Sequence, residues 1–297
     1  MIQVTSYSNP DLDGFSCAYA YAEFLNMTET EAKPVIFGKP RREVQFVVSK
    51  FNIDVPSDDF DIKLDVALVD ASDVRGVLEK LDLEKVIEVI DHREVHESEG
   101  FKKAKLQIEL VGSAATLITE KFVEAKLEPS REAAVLLYSA IISNTINFKN
   151  NVTTERDIDA ANWLLGFLDL EPNYIREMFK YSSEIDLDNW EMRFASFEFN
   201  EKKIGIAQLE IVDVDNFVKD NFFLIREKLE SASKNFDYYF LTCIDVDTGY
   251  NLFVSIDEKT QGVLVKVLKI QFEDNLARRE GILMRKEIAP LLKNFLT

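Results

Sequence analysis

The chain has 297 residues, 46% of them hydrophobic, and a formal charge of −18 from 53 acids against 35 bases. That length suits about two domains of ~100–200 residues each, and the charge excludes nucleic acid as a partner where no Lys/Arg-rich run offsets it. No run of about 18 apolar residues marks a membrane span, and the start MIQVTSYSNP has neither a basic nor an apolar leader region, so a cytoplasmic location is expected.

The N-terminal half alternates between two patterns. IQVTSY reads as a strand and residues 13–26 as a helix; PVIFG is a strand and RREVQFVVSKF a helix. DVALVD is a strand, VRGVLEKL a short helix, and KVIEVID and KAKLQIELV are two further strands. Continuous apolar strands alternating with helices predict a parallel sheet covered on both faces. From 113 to about 180 the pattern is helical. Ser113 is the expected N-cap of AATLITEKF, SREAAVLLYSAIISNT repeats apolar residues at three and four, and TTERDIDAANWLLGFL opens on Thr caps.

The polar stretch FKYSSEIDLDNWEMRF joins two domains, expected at residues 1–184 and 190–297. Beyond it, ASFEFNEKKIGIAQLEI reads as a hairpin and 214–234 as a long helix. FDYYFLTCIDV and YNLFVSI flank DTG, a second hairpin signal. RKEIAPLLKNFL is a final helix that Pro290 should kink or divide.

Three apolar strands end in aspartate. Asp11 and Asp13 follow the first, Asp70 ends the third, and Asp91 with His92 ends the fourth. Each aspartate alone reads as an N-cap or turn residue. In an open parallel sheet, however, ligands bind beyond the carboxyl ends of the strands. If these strands are neighbours, four carboxylates and an imidazole meet at one edge. Such a cluster repels itself unless a divalent cation sits in it. With only His92 and His96 as histidines, and Cys17 and Cys243 far apart without a CxxC spacing, any metal site is mostly oxygen. That donor set suits Mn²⁺ or Mg²⁺. A carboxylate shared by two ions would hold them ~3.5–4 Å apart, as in two-metal phosphoryl hydrolysis. The helix starts near Asp13 and after Gly112-Ser113 would favour phosphate oxygens nearby.

These residues resemble the DHH phosphoesterase family. NPDLDG, VDASD, IDHREVH and VGSAAT are similar to its first four motifs in order. Within it the chain resembles the manganese-dependent (family II) inorganic pyrophosphatases, through AIISNTINFKNNVTTERD and through IGIAQLE and FEDNLARREGILMRKEIAPLL. The resemblance implies a parallel-sheet α/β domain followed by a smaller mixed α/β DHH-associated domain, with an active-site cleft between them. It implies Asp11, Asp13, Asp70 and His92 as metal ligands and catalytic residues, Asp70 bridging, with one or two Mn²⁺ or Mg²⁺ ions. Asp91 would orient His92. Arg93, Asn144, Ser113, Arg285 and Lys286 would bind substrate, the arginines suiting bidentate phosphate contact.

Several positions depart from the family pattern. Tyr7 stands where the family has a metal-binding histidine, Asn144 where the pyrophosphatases have an aspartate, and Arg93 where the second histidine of DHH falls. A lysine expected before IGIAQ falls at Ala195, with Arg193 close by; Asp73 is an additional carboxylate, and His96 reads as structural. The expected function is metal-dependent hydrolysis of a phosphoanhydride, pyrophosphate or a short polyphosphate. A phosphodiesterase or phosphatase acting on a small nucleotide, and a binding module with a decayed site, are the alternatives. The resemblance also implies a homodimer.

Overall fold

A computed structural model describes residues 1–73, 81–93, 98–187 and 190–296, the side chain of Ser98 excepted. The expected helix VRGVLEKL, Leu81 apart, and His96 lie outside the described residues. The chain divides into two compact units, Met1–Ser182 and Ser183–Thr297.

The first unit is built on five parallel strands: β1 (Ile2–Thr5), β2 (Ala32–Pro34), β3 (Asp65–Val69), β4 (Val86–Asp91) and β5 (Lys105–Ile108). Their order is β2-β1-β3-β4-β5. The strand order reverses between β1 and β3, which makes the crevice beyond their carboxyl ends the expected ligand position. The strand expected at PVIFG lies earlier, at 32–34. The β1–β2 register ends at Val4↔Pro34, Val35 still donates to the Val4 carbonyl, and the chain then turns to bond loop atoms, Ile36 to Ser57 and Asn9 to Phe37.

Helix α1 (Leu12–Met27) runs back along the sheet, and eleven of its sixteen residues are buried. Its small residues, among them Gly14, Ser16, Ala18 and Ala22, allow close approach to β1, α3 (Ala114–Ala125) and α4 (Arg131–Asn144). A helix apolar on all sides belongs in a core rather than on a surface. α2 (Arg42–Phe51), α5 (Glu155–Leu165) and α6 (Tyr174–Ser182) are amphipathic and bury one stripe each. Phe15, Phe122 and Tyr174 are the largest side chains of this core.

The second unit is a mixed sheet in the order β10 (Leu276–Glu280), β9 (Tyr250–Val254), β8 (Tyr238–Asp245), β7 (Lys202–Ile211) and β6 (Phe194–Phe199), in which β7 and β8 are parallel and the other neighbours antiparallel. β6 (Phe194–Phe199) and β7 (Lys202–Ile211) form the expected hairpin, turning at Asn200 and Glu201, both with positive φ. β8 (Tyr238–Asp245) and β9 (Tyr250–Val254) form the second. Alternation along the strands sends Leu241, Cys243 and Leu252 towards α7 (Val214–Ala232), and Ile206, Phe240 and Phe253 towards α8 (Glu258–Leu268) and α9 (Arg285–Leu296). α8 and β10 (Leu276–Glu280) had no counterpart in the expected elements. Pro290 does not divide α9. It is exposed, as is Lys286, whose carbonyl loses its donor, so water can satisfy that group. Among the described residues no helix is long and apolar enough to cross a membrane.

Candidate metal centre

The carboxyl ends of β1, β3 and β4 bring Asp13, Asp70 and His92 together. One ligand atom from each lies within 4.8 Å of the others. His92 Nε2 is 3.6 Å from Asp13 Oδ2 and 3.5 Å from Asp70 Oδ1. Asp13 is completely buried and Asp70 nearly so.

Asp13 is positioned by α3 and α4. Ser113 Oγ donates to Oδ1 at 2.8 Å, the backbone amides of Ala114 and Ala115 donate at 2.8 and 2.9 Å, and Asn144 Nδ2 donates to Oδ2 at 2.6 Å. The Cys17 thiol adds a longer contact at 3.4 Å. Ser113 and Asn144, expected to bind substrate, therefore hold Asp13, and the α3 amides expected to favour phosphate are taken by the same carboxylate. At α1, the Leu12 amide donates to Glu43 and the Gly14 amide to Asp11, so that terminus is also largely occupied.

Asp70 sits just past β3 in the left-handed region, φ 51°, with its amide donating to the Ile90 carbonyl at 2.8 Å. Aspartate tolerates this conformation better than most residues. Gly14 lies against it: a Cβ there would stand 2.7 Å from Ser6 Oγ and 3.4 Å from Asp70 Oδ2. Burial pushes both the Asp13 and the Asp70 carboxyl pKa upward, opposed by His92.

His92 Nδ1 lies 3.0 Å from the Val111 carbonyl. A carbonyl can only accept, so Nδ1 carries the proton and Nε2 faces the two aspartates. Burial disfavours a charged His92, but its hydrogen bond to Asp70 and the charge of Asp13 outweigh that and raise its pKa to about 10. A divalent cation would replace that proton. The residues fit such an ion: two carboxylates and one imidazole whose Nε2, once its proton is displaced, is a lone-pair donor beside both.

The expected partner for the ring was Asp91. Asp91 instead accepts from the His92 backbone amide at 2.7 Å and lies 3.5 Å from Arg93 Nε, because as the last residue of β4 it points into the turn rather than across it to the imidazole. Arg93 also donates from Nη2 to the Asp70 carbonyl at 3.1 Å and lies 3.7 Å from Asp73 Oδ2.

Asp11 is not part of the three-residue group. It caps α1 through the Gly14 amide at 3.1 Å and pairs with Arg41 at 3.6 Å. Tyr7 stands beside it. Burial and the charges of Asp70 and Asp11 push the Tyr7 phenol upward, so it remains neutral. Arg285 and Lys286 are exposed in the first turn of α9, in the second unit.

Sequence reasoning missed the residue that fixes this loop. Asp157 is completely buried and accepts from the Gly112 amide at 2.9 Å, Thr116 Oγ1 at 2.6 Å, and the Thr154 amide and hydroxyl at 2.7 Å each. It thereby ties the start of α5 to the turn before α3. Gly112 is required there, since a Cβ would meet Thr145 at 2.5 Å. The T-x-x-D spacing of Thr154 and Asp157 was a readable signal for a cap. Its second partner, 45 residues away, was not. Arg41 and the Val111 carbonyl were also unforeseen.

The model of the DHH family, N-terminal domain, matches residues 1–141. The "Probable manganese-dependent inorganic pyrophosphatase" of Bacillus cereus (strain 03BB102) is 30% identical over 306 residues, covering 98% of this chain and 97% of the relative. The chain belongs to the manganese-dependent inorganic pyrophosphatase family. A family member of the same name from Clostridium acetobutylicum is 29% identical over 303 residues, with the same two coverages. Among solved structures, a Methanococcus jannaschii protein carrying the family II inorganic pyrophosphatase name aligns over 100% of this chain and 99% of its own, with a TM-score of 0.65 and 27% identity.

Proposed function

We propose that this chain hydrolyses a phosphoanhydride, pyrophosphate or a short polyphosphate, with a divalent cation, Mn²⁺ or Mg²⁺, held by Asp13, Asp70 and His92. The observation that carries this reading is the convergence of those three ligand atoms, with the His92 tautomer set by Val111. Family membership supports both the reaction class and the metal.

The ion, when bound, polarises phosphoryl oxygens and acidifies water. The chain's own residues do the rest. Ser113, Ala114 and Ala115 hold the Asp13 carboxylate rigid, so little reorganisation accompanies binding. Asn144 carries both a donor and an acceptor on its amide. The residue that donates to Asp13 without an ion can present its carbonyl oxygen to one. Arg93, half-buried beside Asp70, offers a guanidinium to a phosphoryl group. Arg285 and Lys286 place two positive charges at the start of α9, and we assign them to substrate phosphate.

The test is phosphate release from pyrophosphate, tripolyphosphate and a panel of small nucleotides by chelator-stripped protein resupplied with Mn²⁺ or Mg²⁺. Release from the inorganic substrates is expected. Release from nucleotides alone would move the activity to the phosphodiesterase alternative. Retention of pyrophosphate without release would identify a binding module.

A further inference from the structure

We infer that the Arg93 guanidinium takes the place of a second cation at this centre, so that the chain holds a single divalent ion. The inference rests on the reading of Asp13, Asp70 and His92 as a cation site, and concerns how many ions that site accepts.

Three carboxylates converge on Arg93. Its Nε lies 3.5 Å from Asp91 Oδ2, its Nη1 3.7 Å from Asp73 Oδ2 and its Nη2 4.0 Å from Asp70 Oδ1. Asp91 is completely buried, and among the described residues its Oδ2 has no hydrogen-bond partner, so the nearby guanidinium is the charge that compensates it. The Nη2 bond to the Asp70 carbonyl fixes the guanidinium in place, where side-chain pairs alone would leave it freer. Asp70 thus faces two cationic positions. One is at His92 and Asp13; the other is filled by a covalently attached charge that does not deprotonate at any accessible pH.

Asp11, a further acid near Asp70, gives a second ion little to bind. Asp11 pairs with Arg41 at 3.6 Å, and the Tyr7 hydroxyl accepts from the Asp11 amide at 3.4 Å. A further divalent ion on Asp70 would have to displace a guanidinium from the carboxylates it already pairs with. A fixed arginine repels a metal ion and still binds a phosphoryl oxygen, so it can supply part of the charge a second ion would give the substrate while removing the need for that ion.

The test is Mn²⁺ stoichiometry by equilibrium titration with electron paramagnetic resonance on wild type, Arg93→Lys and Arg93→Gln. Wild type and Arg93→Lys are expected to bind one ion per chain with an uncoupled six-line spectrum. Arg93→Gln is expected to take up a second ion, with the six-line intensity per ion reduced by coupling. Two coupled ions in wild type, or an Arg93→Gln protein that stays at one, would overturn the inference and leave the hydrolase reading standing. No ion in wild type would instead remove the cation site itself. The wild-type count decides even if a variant does not fold.

Discussion

The two sides of Asp70 are built from similar residues and end in different states. On one side Asp13 and His92 are held by helix amides, by hydroxyl and amide side chains and by a backbone carbonyl, and among the described residues no arginine or lysine pairs with Asp13. On the other side Asp11, Asp73 and Asp91 each lie beside an arginine, Arg41 or Arg93. The same residue type, aspartate near a strand end, is an open ligand at Asp13, where the facing cation is the titratable imidazole of His92. It is a closed ion pair where a guanidinium is in reach. The difference lies in the neighbours, and the neighbours come from distant parts of the chain.

The comparison can be broken most directly at Asp13 and Asp11. Asp13→Asn is expected to abolish tight Mn²⁺ binding and to slow phosphate release on the order of 10²–10³-fold, the scale of one lost electrostatic contact to a transition state. Asp11→Asn is expected to change Mn²⁺ affinity by roughly fivefold or less, since it removes an ion pair worth up to about 1 kcal/mol. Titration of both variants side by side checks the contrast; equal losses would erase it.

Next in size is the loop that holds the ligand side. Asp157→Ala leaves the buried Gly112 amide and the partly buried Thr154 amide without their acceptor, and about 1–3 kcal/mol of stability is expected to go with the buried one. Urea denaturation measures the loss, and Mn²⁺ affinity should fall with it because Ser113 moves. Gly14→Ala forces a methyl against Ser6 and Asp70 and is expected to cost about 1–3 kcal/mol. The thermal midpoint should drop, and an unchanged midpoint would show that the contact relaxes freely.

The smallest effect concerns Glu43, which accepts from the Leu12 amide at 3.0 Å and from Ser143 at 3.2 Å. Burial, with Asp11 adding to it, raises its pKa above the usual 4.5. A carboxyl with a raised folded-state pKa contributes stability that is present below the unfolded value and lost as pH rises through the folded one. Glu43→Gln should therefore be more stable than wild type near neutral pH, with the gap closing towards pH 4. A gap independent of pH would assign the effect to packing.

The first unit was legible because its strands are continuous apolar runs that stop at aspartates, and buried parallel strands have that form. β5 and β2 were read too long or too late, because their ends are set by pairing partners rather than by composition. α8 escaped notice: Gly262 interrupts its pattern, and its N-cap, Asp257 accepting from the Thr260 amide, is short. β10 escaped too, since LARRE reads as a charged loop until β9 pairs with it. At the site, the order of motifs named Asp11, Asp13, Asp70 and His92, and the ligand atoms of the last three converge. Pairing was hidden. Nothing in the sequence tells that Arg41 meets Asp11, that Arg93 meets Asp91, or that Val111 supplies a carbonyl, because backbone atoms carry no residue signature.

The most direct measurement is Mn²⁺ titration of chelator-stripped wild type beside Asp70→Asn, followed by phosphate release from pyrophosphate in the same samples. Asparagine tolerates the left-handed backbone at this position, so the variant removes charge and keeps the fold. Binding and release in wild type, both lost in the variant, is the expected result. Mn²⁺ binding that survives in Asp70→Asn, or phosphate release that needs no divalent ion, would contradict the assignment of the centre.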